Sequence, residues 1–166
     1  ALVDKARTTD GCTPLYIAAQ NGHLTVVTKL IAAGADVNKA TTDNGCTPLF
    51  IAAQKGHLTV LTKLIAAGAD VNKATTDFGD TPLFMAVEMG HLAVVTNLIA
   101  AGADVNKART DDGSTPLYIA ADSGHTAIVS KLLQHGADKS IRGWQNRTPL
   151  EAAHRNNHAA IVALLA

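Results

Sequence analysis

The sequence is short of charge. Charged residues make up 17% of its 166 residues, with 14 Lys and Arg, 14 Asp and Glu and a net charge of +0. The basic residues are scattered along the chain rather than clustered. Phosphate backbones are held by clustered Lys and Arg, so this pattern argues against a nucleic-acid partner. No apolar run approaches the roughly 20 residues that a membrane-spanning helix needs, and no membrane insertion is expected. No signal peptide is visible and residue 1 is not Met. There is no Gly-x-Ser-x-Gly elbow, phosphate-cradling glycine loop or His-Glu-x-x-His pair. Apolar residues reach 47%, and so weakly charged a surface allows self-association.

What is present is a period. Thr13-Pro14-Leu15-Tyr16 returns as Thr47-Pro48-Leu49-Phe50, then at Thr81-Pro82, Thr115-Pro116 and Thr148-Pro149. The steps between successive threonines are 34, 34, 34 and 33 residues. A fixed period of this size marks a stacked-repeat solenoid. All five prolines belong to this phrase, and of the 13 glycines only Gly143 stands outside three recurring positions.

The phrase predicts local structure. Thr13 suits a helix N-cap, Pro14 the first helical position and Gly22 a left-handed stop. Ala18 and Ala19 let neighbouring helices approach. A second helix is expected from about Leu24, with Val26, Val27, Leu30 and Ile31 on one face. Gly34 ends it, and the stretch Thr41-Thr42-Asp43-Asn44-Gly45 reads as an extended turn or hairpin tip. Helices below roughly 12–15 residues are marginal alone, so each must be held by its neighbours.

The turn glycines (Gly11, Gly45, Gly79, Gly113), Thr-Pro-Leu, the Ala pair, Gly22-His23 and its copies, and Gly34-Ala35-Asp36-Val37-Asn38 together resemble the ankyrin repeat. The likeness covers essentially the whole chain. It implies an all-α solenoid of five helix-turn-helix units with projecting β-hairpin or turn loops. The units fall at about 8–40, 41–74, 75–108, 109–141 and 142–166. The family's His after Thr-Pro-Leu is Tyr16, Phe50, Phe84, Tyr118 and Glu151 here. The period is mostly one residue longer than the common one. Asn146 and Asn157 replace two glycines of the last unit. The family's asparaginyl hydroxylation would fall on Asn38, Asn72 and Asn106; the alternative for these is a role in ordering the loop.

Two cysteines, Cys12 and Cys46, occupy equivalent places in adjacent units. Packed helices lie about 8–10 Å apart, whereas a disulfide needs Cα atoms within about 7 Å, so free thiols are expected. The recurring His23, His57, His91, His125 and His158 are likewise too widely spaced to share a zinc. A ring bracing the neighbouring backbone is the expectation, with no metal and no cofactor. The acidic tips Asp43, Asp77, Asp111 and Asp112 read as turn chemistry rather than as a catalytic pair.

Residues 1–7 align with 35–41, and only eight of the first 34 positions differ from residues 35–68. A piece of a longer array is the expectation, and recent duplication and consensus-style engineering both fit. The third unit departs most from the pattern. Phe78 stands where its neighbours have Asn44 and Asp112, Asp80 where they have Cys46 and Ser114, and Glu88-Met89 closes its first helix. The column Tyr16, Phe50, Phe84 and Tyr118 reads as a packing spine or as a greasy floor. Phe78, Met89 and Trp144 break the pattern as interface anchors do, or pack on a neighbouring loop.

The function that follows is non-catalytic protein–protein interaction in an intracellular setting. The predicted contacts with a protein partner are Phe78, Asp80, Glu88 and Met89, flanked by Lys55, Asp111, Asp112 and Ser123, with Trp144 further along. The alternatives are an engineered or self-associating homo-oligomeric scaffold, or the recognition arm of a larger enzyme.

Overall fold

A computed structural model describes residues 2–166; the alignment of Ala1 with Ala35 lies outside them. Ten α-helices form five pairs: α1 (Pro14–Gln20) with α2 (Leu24–Ala32), α3 (Pro48–Lys55) with α4 (Leu58–Ala66), and α5 (Pro82–Glu88) with α6 (Leu92–Ala100). They continue as α7 (Pro116–Ser123) with α8 (Thr126–Gln134), and α9 (Pro149–Arg155) with α10 (Ala159–Leu165). Short 3-10 turns lie at Leu2–Asp4 and Trp144–Asn146.

Every first helix starts by one device. Thr13, Thr47, Thr81, Thr115 and Thr148 hold extended backbone, and each hydroxyl accepts the N–H three residues on. Proline follows, where a missing N–H does no harm. In α9 the departure Glu151 has a local use: its carboxylate accepts the Thr148 N–H at 2.7 Å, completing a capping box.

First helices pack on first helices and second on second along the stack. The core is therefore built in rows. Leu15, Leu49, Leu83 and Leu117 are fully buried, as are Ala19, Ala53, Val87 and Ala121, and Val27, Leu61, Val95 and Val129. Each buried Leu contributes about 1.5–3 kcal/mol, but only because the next unit covers it.

The histidine column joins unit to unit. Nε2 of His57, His91, His125 and His158 lies 3.0, 3.0, 3.3 and 3.1 Å from the carbonyls of Gln20, Gln54, Glu88 and Asp122. A carbonyl can only accept, so Nε2 carries the proton and donates. The bracing expectation holds. A second row runs through asparagine: Oδ1 of Asn38, Asn72 and Asn106 accepts the N–H of Asp70, Asp104 and Asp138 at 2.8 Å. The Nδ2 groups of these asparagines donate to the carbonyls of Gly68, Gly102 and Gly136.

The loops are turns rather than β-hairpins; no strand forms among the described residues. Thr41, Thr75 and Arg109 each donate one N–H across their own loop, to Cys46, Asp80 and Ser114. Thr42, Thr76 and Thr110 each donate one to the preceding loop, at Asp10, Asn44 and Phe78. Isolated bonds of this kind do not propagate into a strand ladder. The fourth joint, one residue shorter, differs: the Trp144 N–H donates to Ser114 Oγ at 3.1 Å, and the Tyr118 hydroxyl donates to the Trp144 carbonyl at 3.2 Å. Gly143 makes this approach possible, because a Cβ there would sit 2.8 Å from Ser114 Oγ and 2.9 Å from the Tyr118 ring.

Candidate functional site

The stack presents the loops and the ends of the first helices along one side. Within that strip the aromatic column is mostly packing. Phe50, Phe84 and Tyr118 are buried, and Tyr16 is half-buried. Cys12 and Cys46 are free thiols. Burial raises both, Cys46 to about 12, which keeps its sulfur protonated and inert.

Unit three breaks the pattern as a cluster. Phe78 is 46% exposed. Its loop neighbour Asp80 is buried, with a side chain only 9% exposed. Between them lies Arg109, a residue sequence reasoning missed. Its Nε stands 3.0 Å from Asp80 Oδ1 and 3.3 Å from Asp111 Oδ1. Its guanidinium carbon lies 5.1 Å from the centre of the Phe78 ring and 5.4 Å from that of Phe84, within cation–π range. The contact with Asp80 is coulombic and poorly aligned: Asp80 Oδ1 and Arg109 Nε are both buried without a hydrogen-bond partner. Burial is the main cause that raises Asp80, from its ordinary 3.8 to about 6, while Arg109 pulls it down. Glu88, Asp77 and Asp111 push it further up.

Arg109 occupies the position of Thr41 and Thr75 in the two preceding loops, but Arg7 fills the same position in the first, so its identity alone did not single it out.

The other predicted residues spread out from this cluster. Met89 is 45% exposed at the end of α5. Lys55 and Ser123 are exposed at the ends of α3 and α7, and Glu88 is half-buried. Asp111 and Asp112 order their own loop: their carboxylates accept the N–H groups of Asp112 and Ser114. Asp77 does the same for Phe78 at 2.7 Å. Its hydrogen bond with Thr75, then that with Phe78, holds it below the ordinary carboxylate range. Trp144, 42% exposed, belongs to a separate group at the fourth joint. Arg155 lies 5.0 Å from its ring centre, and Arg155 also reaches Asp122 at 2.8 Å. Asn38, Asn72 and Asn106 stand away from both groups, in the asparagine row of the joints.

A cavity of about 250 Å³ opens beside the unit-three cluster, lined by Tyr16, Phe50, Asp77, Phe78, Asp80 and Met85 among others. No helix among the described residues is long and apolar enough to cross a membrane.

Paired short helices, stacked in register and joined by repeated turn contacts, define a helical-repeat protein. A family profile for ankyrin repeats matches in three copies, over residues 15–109, 70–143 and 97–166. The chain belongs to the ankyrin-repeat family. No match was found among curated proteins.

Proposed function

We propose that the chain is a non-catalytic module that binds a protein partner along the strip of loops and first-helix ends, centred on unit three. Ankyrin repeats are generally protein–protein interaction modules. The observation that carries the centre is the exposure of Phe78 and Met89, two large apolar side chains that the shared repeat does not require. Exposed aromatic and Met side chains flanked by polar groups are what interfaces bury. Lys55, Glu88, Asp111, Asp112 and Ser123 form the polar flank, and Trp144 extends the surface toward unit five. Asp80 acts from beneath rather than as an exposed contact.

The test is a comparison of partners captured by the intact chain with those captured by a variant in which unit two is copied into the place of unit three. Partners lost from the variant support the reading. An unchanged set removes unit three as the centre. Phe78→Ala and Met89→Ala should each weaken an identified partner by about 2 kcal/mol if they are anchors.

Self-association is the second reading, and a surface carrying few charges, with charged residues at 17% of the chain, favours it. Light scattering that shows a monomer across a concentration series would remove it. The family likeness also leaves Asn38, Asn72 and Asn106 as candidates for hydroxylation. Their amides are engaged between units, so the loop must open before an enzyme reaches them. Intact mass after exposure to an asparaginyl hydroxylase tests this.

A further inference from the structure

We propose that the cavity beside Phe78 receives a cationic side chain, lysine or arginine, from the protein partner. The inference deepens the recognition reading above and rests on it. The cavity, about 250 Å³, is smaller than the roughly 300–1,000 Å³ of pockets for drug-sized molecules. Its size suits one side chain. Its lining includes three aromatic residues, Tyr16, Phe50 and Phe78, of which Phe78 is 46% exposed, and aromatic rings attract cations. Its lining also includes Asp80, whose Oδ1 is buried and without a hydrogen-bond donor. A buried acceptor left in that state is destabilising, and its occurrence in a folded chain calls for an explanation.

Arg109 does not supply the missing donor. It reaches Asp80 at 3.0 Å out of alignment, is shared with Asp111, and is held against Phe78 and Phe84. Three carboxylates, Glu88, Asp77 and Asp111, crowd Asp80 with like charge, and Arg109 opposes them. A second cation entering from the cavity side would offset these like charges at Asp80 without displacing Arg109 from Oδ1. The repeat supplies its own control. Units two and four carry Cys46 and Ser114 at the Asp80 position, and Asn44 and Asp112 at the Phe78 position. The carboxylate and the ring occur together only in unit three.

The experiment titrates the intact chain with N-acetyl-arginine amide, N-acetyl-lysine amide and N-acetyl-citrulline amide above the Asp80 titration, followed by backbone amide NMR. Citrulline keeps the shape of arginine and loses its charge. The expected result is saturable shifts at Thr75, Phe78 and Asp80 within about 100 mM for arginine or lysine, with citrulline at least about tenfold weaker. Which of the two cations saturates first tells which side chain the site prefers. Asp80→Asn should weaken the preferred cation about tenfold, and Phe78→Ala several-fold. Shifts that do not saturate, or that citrulline reproduces, overturn the proposal, as does unchanged binding in folded Asp80→Asn. Should Asp80→Asn fail to fold, Phe78→Ala decides, because that side chain is half exposed. Partners captured through unit three, with no cation bound in this titration, would overturn this inference and leave the recognition reading standing.

Discussion

Asp80 is where burial and charge conflict most, and removing its charge gives a prediction with a definite sign. Burial raises its pKa from 3.8 to about 6, so the folded chain holds this proton more tightly than the unfolded chain does. One pKa unit corresponds to about 1.36 kcal/mol, and a shift of about two units to about 3 kcal/mol. Protonated Asp80 is compatible with the fold. Below about pH 4 both states are protonated and the term is absent. As pH rises from about 4 to about 6 the folded state loses stability relative to the unfolded one, and above that the loss is constant. Asp80→Asn does not titrate and keeps the shape. Arg109 has a second carboxylate, Asp111, at 3.3 Å. Urea unfolding of both chains across this range should show nearly equal stability at about pH 4, and a variant more stable by about 2–3 kcal/mol at about pH 7.5. A variant less stable at every pH, with a gap that does not change, would refute the reasoning. The ion pair with Arg109 would then outweigh the burial.

Further outcomes follow from the histidines, the glycines and the thiols. His91→Ala should cost about 1–2 kcal/mol by urea unfolding, since the ring donates to Gln54 at 3.0 Å. His23→Ala should cost under about 0.5 kcal/mol, since His23 is exposed and makes no such bond among the described residues. Gly56→Ala should lower stability by at least about 2 kcal/mol, because φ is +73 and the added Cβ would lie 2.9 Å from His91 Cε1. Gly34→Ala, at φ +84 with nothing within 4 Å, should cost about 1 kcal/mol. A thiol reagent at neutral pH should modify half-buried Cys12 well before Cys46, which is buried and raised to about 12; equal rates would contradict the burial.

Much of the fold was legible because its signals are local. Thr-Pro sets a helix start within four residues, and Gly22 sets a stop whatever surrounds it. The histidine bonds were legible for another reason: the period puts each ring beside an equivalent carbonyl one unit back. The cysteines stayed apart by the same geometry. Turn and hairpin stayed open for the loops, because turn residues mark where the chain reverses, not whether enough consecutive bonds follow to make a strand; the structure has the turn. The Asp80–Arg109 contact was illegible for a related reason. It joins two departures from the repeat in different loops, and each looks like solvent-facing variation until the loops are placed side by side. Trp144 also needed the structure, since its backbone meets Ser114 and Tyr118 only because the fifth loop is a residue short.

Glycine at position 56 has to leave room for His91, and Asn157 occupies the corresponding place in unit five with φ +60. The first three joints share one set of contacts, so their spacing is interchangeable. Excising residues 35–68 would bring His91 opposite Gln20 and recreate a junction of the kind already present. Arrays of this architecture can thus lengthen or shorten by whole modules through in-frame duplication or loss, while an insertion of any other length would break the alignment of every later ring and carbonyl.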